Sequence, residues 1–215
     1  MTFVIGVTGG VGSGKSVAAD LFSAFGISIV DTDIIAHELT RAGGDAMPAI
    51  RDGFGARAVE DDGRMSRPFM RRIVFTDTSA KKRLEAILHP LILDESEKRC
   101  LSAKSPYVLL VVPLLVETGF LRRKIRRILL IDCDESIQEK RVMSRNTLSL
   151  AEVRAIMATQ ASRSEREAAA DDIILNNGSI ETLDRQVAEL HRKYLDLAHV
   201  TNDGRIVGEV RRALF

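Results

Sequence analysis

An α/β fold, with a five-stranded parallel sheet between two layers of helices, is what this sequence predicts. Three observations carry the expectation. Short apolar runs recur at residues 3–7, 27–30, 107–112, 128–133 and 172–175. Several of them are apolar almost throughout, the pattern of strands covered on both faces rather than one. The stretches between them place apolar residues at helical spacing, so strand and helix alternate as parallel crossovers require.

The first run, Phe3-Val4-Ile5-Gly6-Val7, reads as a central strand. It leads into Gly9-Gly10-Val11-Gly12-Ser13-Gly14-Lys15-Ser16, which fits the phosphate-binding loop G-x-x-x-x-G-K-[ST] at every fixed position. Glycines let successive N–H groups turn toward an anion, and the helix that follows adds its positive N-terminal end. The pattern assigns Gly10, Val11, Gly12, Ser13 and Gly14 to a phosphate cradle. Lys15 is expected on the β/γ-phosphates, and Ser16 on Mg²⁺. The fold class sharpens to a P-loop NTPase, a three-layer α/β/α core. The helix at 15–25 shows an apolar stripe of Leu21, Phe22 and Phe25, and Gly26 fits its end.

A second strand at 27–30 ends in Asp31-Thr32-Asp33. Ligands of open parallel sheets sit at the carboxyl ends of strands, so two carboxylates here, one strand away from the loop, suit metal binding or proton acceptance. Asp31 or Asp33 also suits the cap of a helix at 34–39, on whose surface His37 is placed. A loop-rich stretch over 41–63 is expected to hold a short helix near 46–54. Helical patterns follow at 65–75 and 81–101, the second interrupted or kinked by Pro90. With no strong strand pattern, 45–104 reads as a helical insertion. Its Arg67, Arg71 and Arg72 face either solvent or a substrate phosphate.

The third strand, at 107–112, is followed by Pro113-Leu114-Leu115-Val116-Glu117. Val111 and Val112 occupy the strand end where P-loop enzymes often carry an acidic residue. A metal must then rely on Ser16, the Asp pair or Glu117. The basic run at 122–127 is a solvated turn or an anion-facing patch. A fourth strand at 128–133 precedes a helix at 135–144 and, after Thr147-Leu148-Ser149, another at 150–160. Ser149 and Glu152 form a capping box for the latter. Arg141, Arg145, Arg154, Arg163 and Arg166 make 141–169 a candidate helical lid that brings positive charge to a transferring phosphoryl group. A fifth strand at 172–175 turns at Asn176-Asn177-Gly178 into an amphipathic helix at 180–198. The tail from 201 to 215 holds at most a short helix.

With 31 basic and 30 acidic residues the net charge is +1, which does not point to nucleic acid as a partner. Aromatic content of 5% without Trp provides no stacking platform for bases. The longest apolar run, 107–116, is well below the about 20 residues that span a bilayer. No basic segment precedes the first apolar run, so a secretory leader is not expected. Cys100 and Cys133 match no metal or redox spacing and suit buried thiols in a reducing compartment. These features lead us to expect a cytoplasmic protein, a monomer or small homo-oligomer, with no nucleic-acid or membrane partner.

In this order the motifs resemble those of dephospho-CoA kinases. The matching pieces are the loop from Gly6 to Ser16, Asp31-Thr32-Asp33 with Ala36, and Leu84-Glu85-Ala86-Ile87-Leu88-His89-Pro90. Beyond these come Pro113-Leu114-Leu115-Val116-Glu117, Arg141 with Arg145, Gln160, Ala170-Asp171, and Asn176 with Gly178. The likeness spans about residues 3–195. It implies ATP and dephospho-CoA as substrates, Mg²⁺ as cofactor, and a nucleotide-binding core at about 1–44, 105–140 and 170–215. It implies a coenzyme-binding insertion at about 45–104 and a lid at about 141–169. It also implies Asp33 as the base toward a ribose 3′-hydroxyl and as a metal ligand, with Asp31 beside it in the metal or substrate site. Arg141 and Arg145 would sit on the transferring phosphate, Asn176 near the adenine, and His89, Leu114 and Glu117 on the coenzyme side. The chain departs from the family pattern at Val111, where Asp is usual, at Val116 for Phe, at Ser66 and Asn146 for Asp, and at Arg166 for Lys.

Two other classes remain on the residues alone. A GTPase-type switch needs an N/T-K-x-D guanine motif, yet no Lys here follows Asn or Thr; Asp52-Gly53-Phe54-Gly55 is its one short D-x-x-G match. A non-catalytic nucleotide-binding module would bind ATP without acceptor-dependent ADP release.

Overall fold

The five strands form one sheet, seen here in a computed structural model that describes residues 2–145 and 148–213, with side chains up to 200. They are β1 (Phe3–Thr8), β2 (Ser28–Asp31), β3 (Tyr107–Val111), β4 (Arg127–Asp132) and β5 (Asp172–Leu175). The order across the sheet is β2-β3-β1-β4-β5. β1 runs parallel to both β3 and β4, with Phe3 opposite Tyr107 and Thr8 opposite Leu130, and β4 runs parallel to β5. Because β3 lies between β1 and β2, the end of β2 is two strands from the loop's strand, not one. Crossover connections, unlike hairpins, free sequence neighbours from being sheet neighbours.

Residues of β1 and β3 are buried on both faces, which is why their sequences do not alternate. β5 is an edge strand and does alternate, with Ile173 and Leu175 exposed. Its free edge is blunted by Gln186, whose side chain accepts from Leu175 N–H and donates to Leu175 C=O, both at 3.1 Å.

The chain divides into two compact units, residues Met1–Val30 with Cys100–Phe215, and residues Asp31–Arg99. In the first, α1 (Lys15–Ala24) and α10 (Ile180–Ala213) pack on the sheet around Ile5, Phe22, Leu109, Leu129, Val187 and Tyr194. The ring of Tyr194 stacks near Phe22 and meets Tyr107 edge-on at 5.6 Å. Its hydroxyl donates to Asp172, a buried carboxylate that also pairs with Arg127 at 2.9 Å and Lys193 at 2.5 Å. α10 runs unbroken to Ala213 where the sequence suggested a helix to 198 and a separate tail; nothing between carries a proline to stop it. The remaining helices of this unit are α6 (Leu115–Thr118), α7 (Glu135–Arg145), α8 (Leu150–Ala158) and α9 (Arg163–Ala169). The Ser149–Glu152 capping box forms, and a second one, Ser162–Glu165, starts α9. Asn146 and Thr147, part of the expected break before α8, lie outside the described residues.

The second unit is helical. It holds α2 (Thr32–Leu39), α3 (Met47–Phe54) and α4 (Arg67–Thr76), with most of α5 (Thr78–Ser102). α2 belongs to this unit rather than to the sheet layer, tied in by Ala46 N–H to Leu39 C=O at 3.1 Å, by Met65 N–H to Thr40 C=O at 2.9 Å, and by an ion pair from Arg99 to Glu38. α5 passes through Pro90 without interruption. The carbonyl that loses its donor there belongs to exposed Ala86, so water can replace it.

Candidate active site

The phosphate loop is held from three directions. Its first glycine passes close to β4: a Cβ on Gly9 would lie 2.2 Å from the carbonyl oxygen of Ile131. Its last, Gly14, has φ of +96°, and a Cβ there would meet Asn176 Nδ2 at 2.2 Å. That amide donates to Ser13 C=O at 2.8 Å, so residues far apart in sequence meet at the loop. Ser13 N–H closes back on Gly10 C=O at 3.2 Å, and Val11 N–H donates to Gln160 Oε1 at 2.9 Å. The N–H groups of Gly12 and Gly14 have no hydrogen bond to the described residues. Lys15 folds over the loop, its Nζ donating to Gly9 C=O at 2.7 Å and Gly10 C=O at 3.0 Å. Ser16 stands exposed in the first turn of α1, a turn without acidic residues to offset its positive end. The arrangement can receive a polyphosphate.

Beside the loop lies a pocket of about 200 Å³. Gly14 and Val17 line one side, Asn176 and Gly178 another, and Arg141 and Arg145 a third; Ile180 and Leu183 supply apolar surface. Arg141 Nη1 points at Ser13 C=O from 3.5 Å. Apolar walls with two guanidinium groups suit a flat heteroaromatic ring attached to phosphates. Thus Arg141, Arg145, Asn176 and the loop, predicted separately, share one place. Asn176 is buried and supports the loop as well as lining the pocket.

The two aspartates divide their tasks. Asp31 is the N-cap of α2, its Oδ1 accepting from Asp33 N–H at 2.8 Å and Ile34 N–H at 3.3 Å. Asp33 is exposed in the first turn of that helix. His37 accepts at Nδ1 from Arg67. Arg71 and Arg72 are exposed, and Arg72 lies over the ring of Phe69 at 5.5 Å. His89 is half-buried on α5, just before Pro90.

Leu114 is exposed at the start of α6. Glu117 turns toward the loop that precedes α9, with Oε1 accepting from Ala161 N–H at 2.9 Å. Val111 and Val112 are buried, so the end of β3 carries no carboxylate. Among the described residues no group of three or more His, Cys, Asp or Glu side chains could hold a metal ion.

The five arginines of the expected lid do not act alike. Arg154 pairs with Glu139 at 2.6 Å. Arg163 pairs with buried Asp132 at 2.7 Å and also with Asp134 and Glu167; Asp132 foremost pushes the guanidinium above its ordinary pKa. Arg166 is buried and donates to Ala161 C=O. Gln160 reaches the loop by a hydrogen bond and Arg166 lies behind it, and no local pattern in the sequence marks either for that place. The Ser-x-x-Glu pattern at Ser162 was the one local sign that a helix begins there.

A family model described as Dephospho-CoA kinase matches residues 3–182. The dephospho-CoA kinase of Dechloromonas aromatica is 56% identical over 196 residues, covering 91% of this chain and 95% of that protein. That of Nitrosospira multiformis is 52% identical over 195 residues, covering 91% and 98%. A solved structure from Thermus thermophilus has a TM-score of 0.79 at 31% identity, covering 89% of this chain and 97% of that one. The dephospho-CoA kinase from Campylobacter jejuni has a TM-score of 0.67 at 25% identity, covering 91% and 98%. With the match running across nearly the whole of both partners, the loop and its pocket are those of a chain that belongs to the dephospho-CoA kinase family.

Proposed function

We propose that this chain transfers the γ-phosphoryl group of ATP to the ribose 3′-hydroxyl of dephospho-CoA, giving CoA and ADP in the cytoplasm. The observation that carries the reading is the pocket lined by Arg141 and Arg145 next to a loop with the full phosphate-binding sequence. The adenine lies in that pocket near Asn176, and the phosphates lie over the loop, from Gly10 to Ser16.

Lys15 leaves its loop carbonyls for the β/γ-phosphates, a stronger, charge-assisted partner. Asp33 orients the 3′-hydroxyl and accepts its proton as the oxygen attacks phosphorus in line with the departing ADP oxygen. Arg141 and Arg145 offset charge on the transferring group, and the lid, 141–169, excludes water. His89, in the insertion at 45–104, contributes to the coenzyme side, joined by Asp31 and Leu114 from outside the insertion.

The donor set fits Mg²⁺. Among the described residues there are oxygen ligands one at a time, Ser16 and Asp33, and no cage of His, Cys, Asp or Glu; Mg²⁺ is commonly held by one or two side chains together with substrate phosphates and water. When bound, it neutralises phosphate charge.

The test is ADP release with dephospho-CoA as acceptor, with mass detection of the product, against nucleoside monophosphates and shikimate as control acceptors. Lys15→Ala should lower turnover by about 100-fold or more with the melting temperature kept. Asp33→Asn should depress kcat far more than ATP affinity. Wild-type turnover in Lys15→Ala, or equal losses of kcat and ATP affinity in Asp33→Asn, would remove the assigned roles.

A further inference from the structure

The first half of the phosphate loop is supported by residues that phosphoryl transfer itself does not require. Val11 N–H is taken by the side chain of Gln160, whereas Gly12 and Gly14 keep their N–H groups available. Gln160 is in turn fixed through its neighbour. Both backbone polar groups of Ala161 are gripped: its N–H by Glu117 Oε1 at 2.9 Å, its C=O by Arg166. Arg166 is 6% exposed and lies directly behind the loop, its Nη2 3.2 Å from where a Cβ on Gly10 would stand. The second carboxylate oxygen of Glu117 is buried without a hydrogen bond. Glu117 therefore commits one oxygen to a backbone amide and buries the other.

We infer that Gln160 is a positioning residue for the phosphate loop, and that Glu117, with Arg166, acts through it by fixing Ala161. An N–H left without a partner in a glycine-rich loop would let the loop relax and scatter the amides that should converge on the phosphates. Holding Val11 from the side keeps them converged before the nucleotide arrives, so that less order has to be imposed on binding. This gives Glu117 and Gln160, two motif residues without a place in phosphoryl transfer, a shared purpose. It rests on residues 9–16 being the ATP site.

Calorimetric titration of ATP and steady-state kinetics on the full chain test it. The variants are Gln160→Ala, Glu117→Ala, Glu117→Gln and the double variant Gln160→Ala/Glu117→Ala. Loss of one hydrogen bond's worth of order predicts ATP and ADP binding weaker by about threefold to tenfold in Gln160→Ala. The KM for dephospho-CoA should stay at the wild-type value. Glu117→Ala should reproduce that split, and the double variant should be no weaker than either single one, because both act on the same contact. Glu117→Gln, which keeps an oxygen for Ala161 N–H, should restore near wild-type affinity. Should Glu117→Ala fail to fold, the contrast between Gln160→Ala and Glu117→Gln decides.

Additive losses, or a raised dephospho-CoA KM or Mg²⁺ requirement in the Glu117 variants, would overturn the inference in favour of a direct ligand. Tighter ATP binding in Gln160→Ala would also overturn it, since the carboxamide would then compete with phosphate. Unchanged ATP affinity in Gln160→Ala overturns this inference alone. Absence of ATP binding by the wild type overturns the site assignment and this inference with it.

Discussion

Single side chains in this chain are placed by what they must avoid as much as by what they bind. Gly14 is glycine because a positive φ and the amide of Asn176 leave no room for a Cβ. Asp31 and Asp33 are two residues apart, yet the start of α2 turns one into a helix cap and leaves the other exposed. His191 shows the same economy away from the site. Its ring stacks on Phe25 at 4.6 Å, and its Nδ1 meets the hydroxyl of Tyr107 at 2.8 Å. Burial, with a smaller push from Arg192, holds its pKa below the ordinary 6.5. The folded state thus resists a proton that the unfolded state accepts. Stability is at full value above pH 6.5 and falls as pH drops from 6.5 toward the folded pKa. Asp172, which burial raises but Arg127, Lys193 and Tyr194 together hold below 3.8, loses its contribution only at much lower pH. Melting temperature should therefore fall between about pH 7.5 and about pH 5.5, near the ordinary histidine range. His191→Gln, which still offers Tyr107 an acceptor, should flatten much of that fall; an unchanged slope would move the effect to another group.

At the scale of elements, α9 is the clearest case of a helix with a job. It is short, begins at its own capping box, and lies against the end of β4 through Arg163 and Asp132. Asp132 is 1% exposed, and its carboxylate has no hydrogen bond apart from this ion pair. Removing Arg163 leaves the buried Asp132 charge uncompensated, but Arg163 itself is 38% exposed, so Arg163→Met should destabilise the protein by about 1–2 kcal/mol in urea unfolding, less than the loss from a fully buried pair. Adding Asp132→Asn to that variant should recover part of the loss, because the stranded charge is then gone. A double variant less stable than Arg163→Met would mean that Asp132 stabilises the fold without its partner. The segment before α9 carries Gln160 and Ala161, which meet Val11 and Glu117. In contrast, Arg154 reaches Glu139 from an exposed position, where solvent screens the ion pair, and marks no site.

At the scale of the whole chain, two compact units suggest two ligand responses. The phosphate loop and its pocket belong to the unit of residues Met1–Val30 and Cys100–Phe215, and the helical unit is Asp31–Arg99. A ligand at a hundred times its Kd stabilises the state it binds by about 2.7 kcal/mol. In hydrogen exchange, ADP should slow amides at 9–18 and around Asn176, whereas dephospho-CoA should slow amides within 31–99. Coenzyme protection confined to the first unit would reject the insertion as the coenzyme-binding part. No helix among the described residues is long and apolar enough to cross a membrane.

Much of this was legible in the residues. The loop announces itself because glycines, Lys15 and Ser16 act through local backbone geometry, and the strands because a run buried on both faces needs no alternation. Ser149 and Glu152 capped α8 as read, since a capping box spans only one turn. The order β2-β3-β1-β4-β5 was not legible, nor the unbroken course of α5 through Pro90 and of α10 to Ala213. Least legible was the arrival at the loop of Gln160 and Arg166, whereas Asn176 is expected at the nucleotide through the family resemblance. An amide or a guanidinium has the same local signature on a solvated helix as behind a glycine loop. By itself the sequence determined the strands, the glycine-rich loop between β1 and α1, and the candidates for phosphate contact. The tertiary structure alone decided which distant residues hold the cradle in shape, because those contacts join positions more than a hundred residues apart.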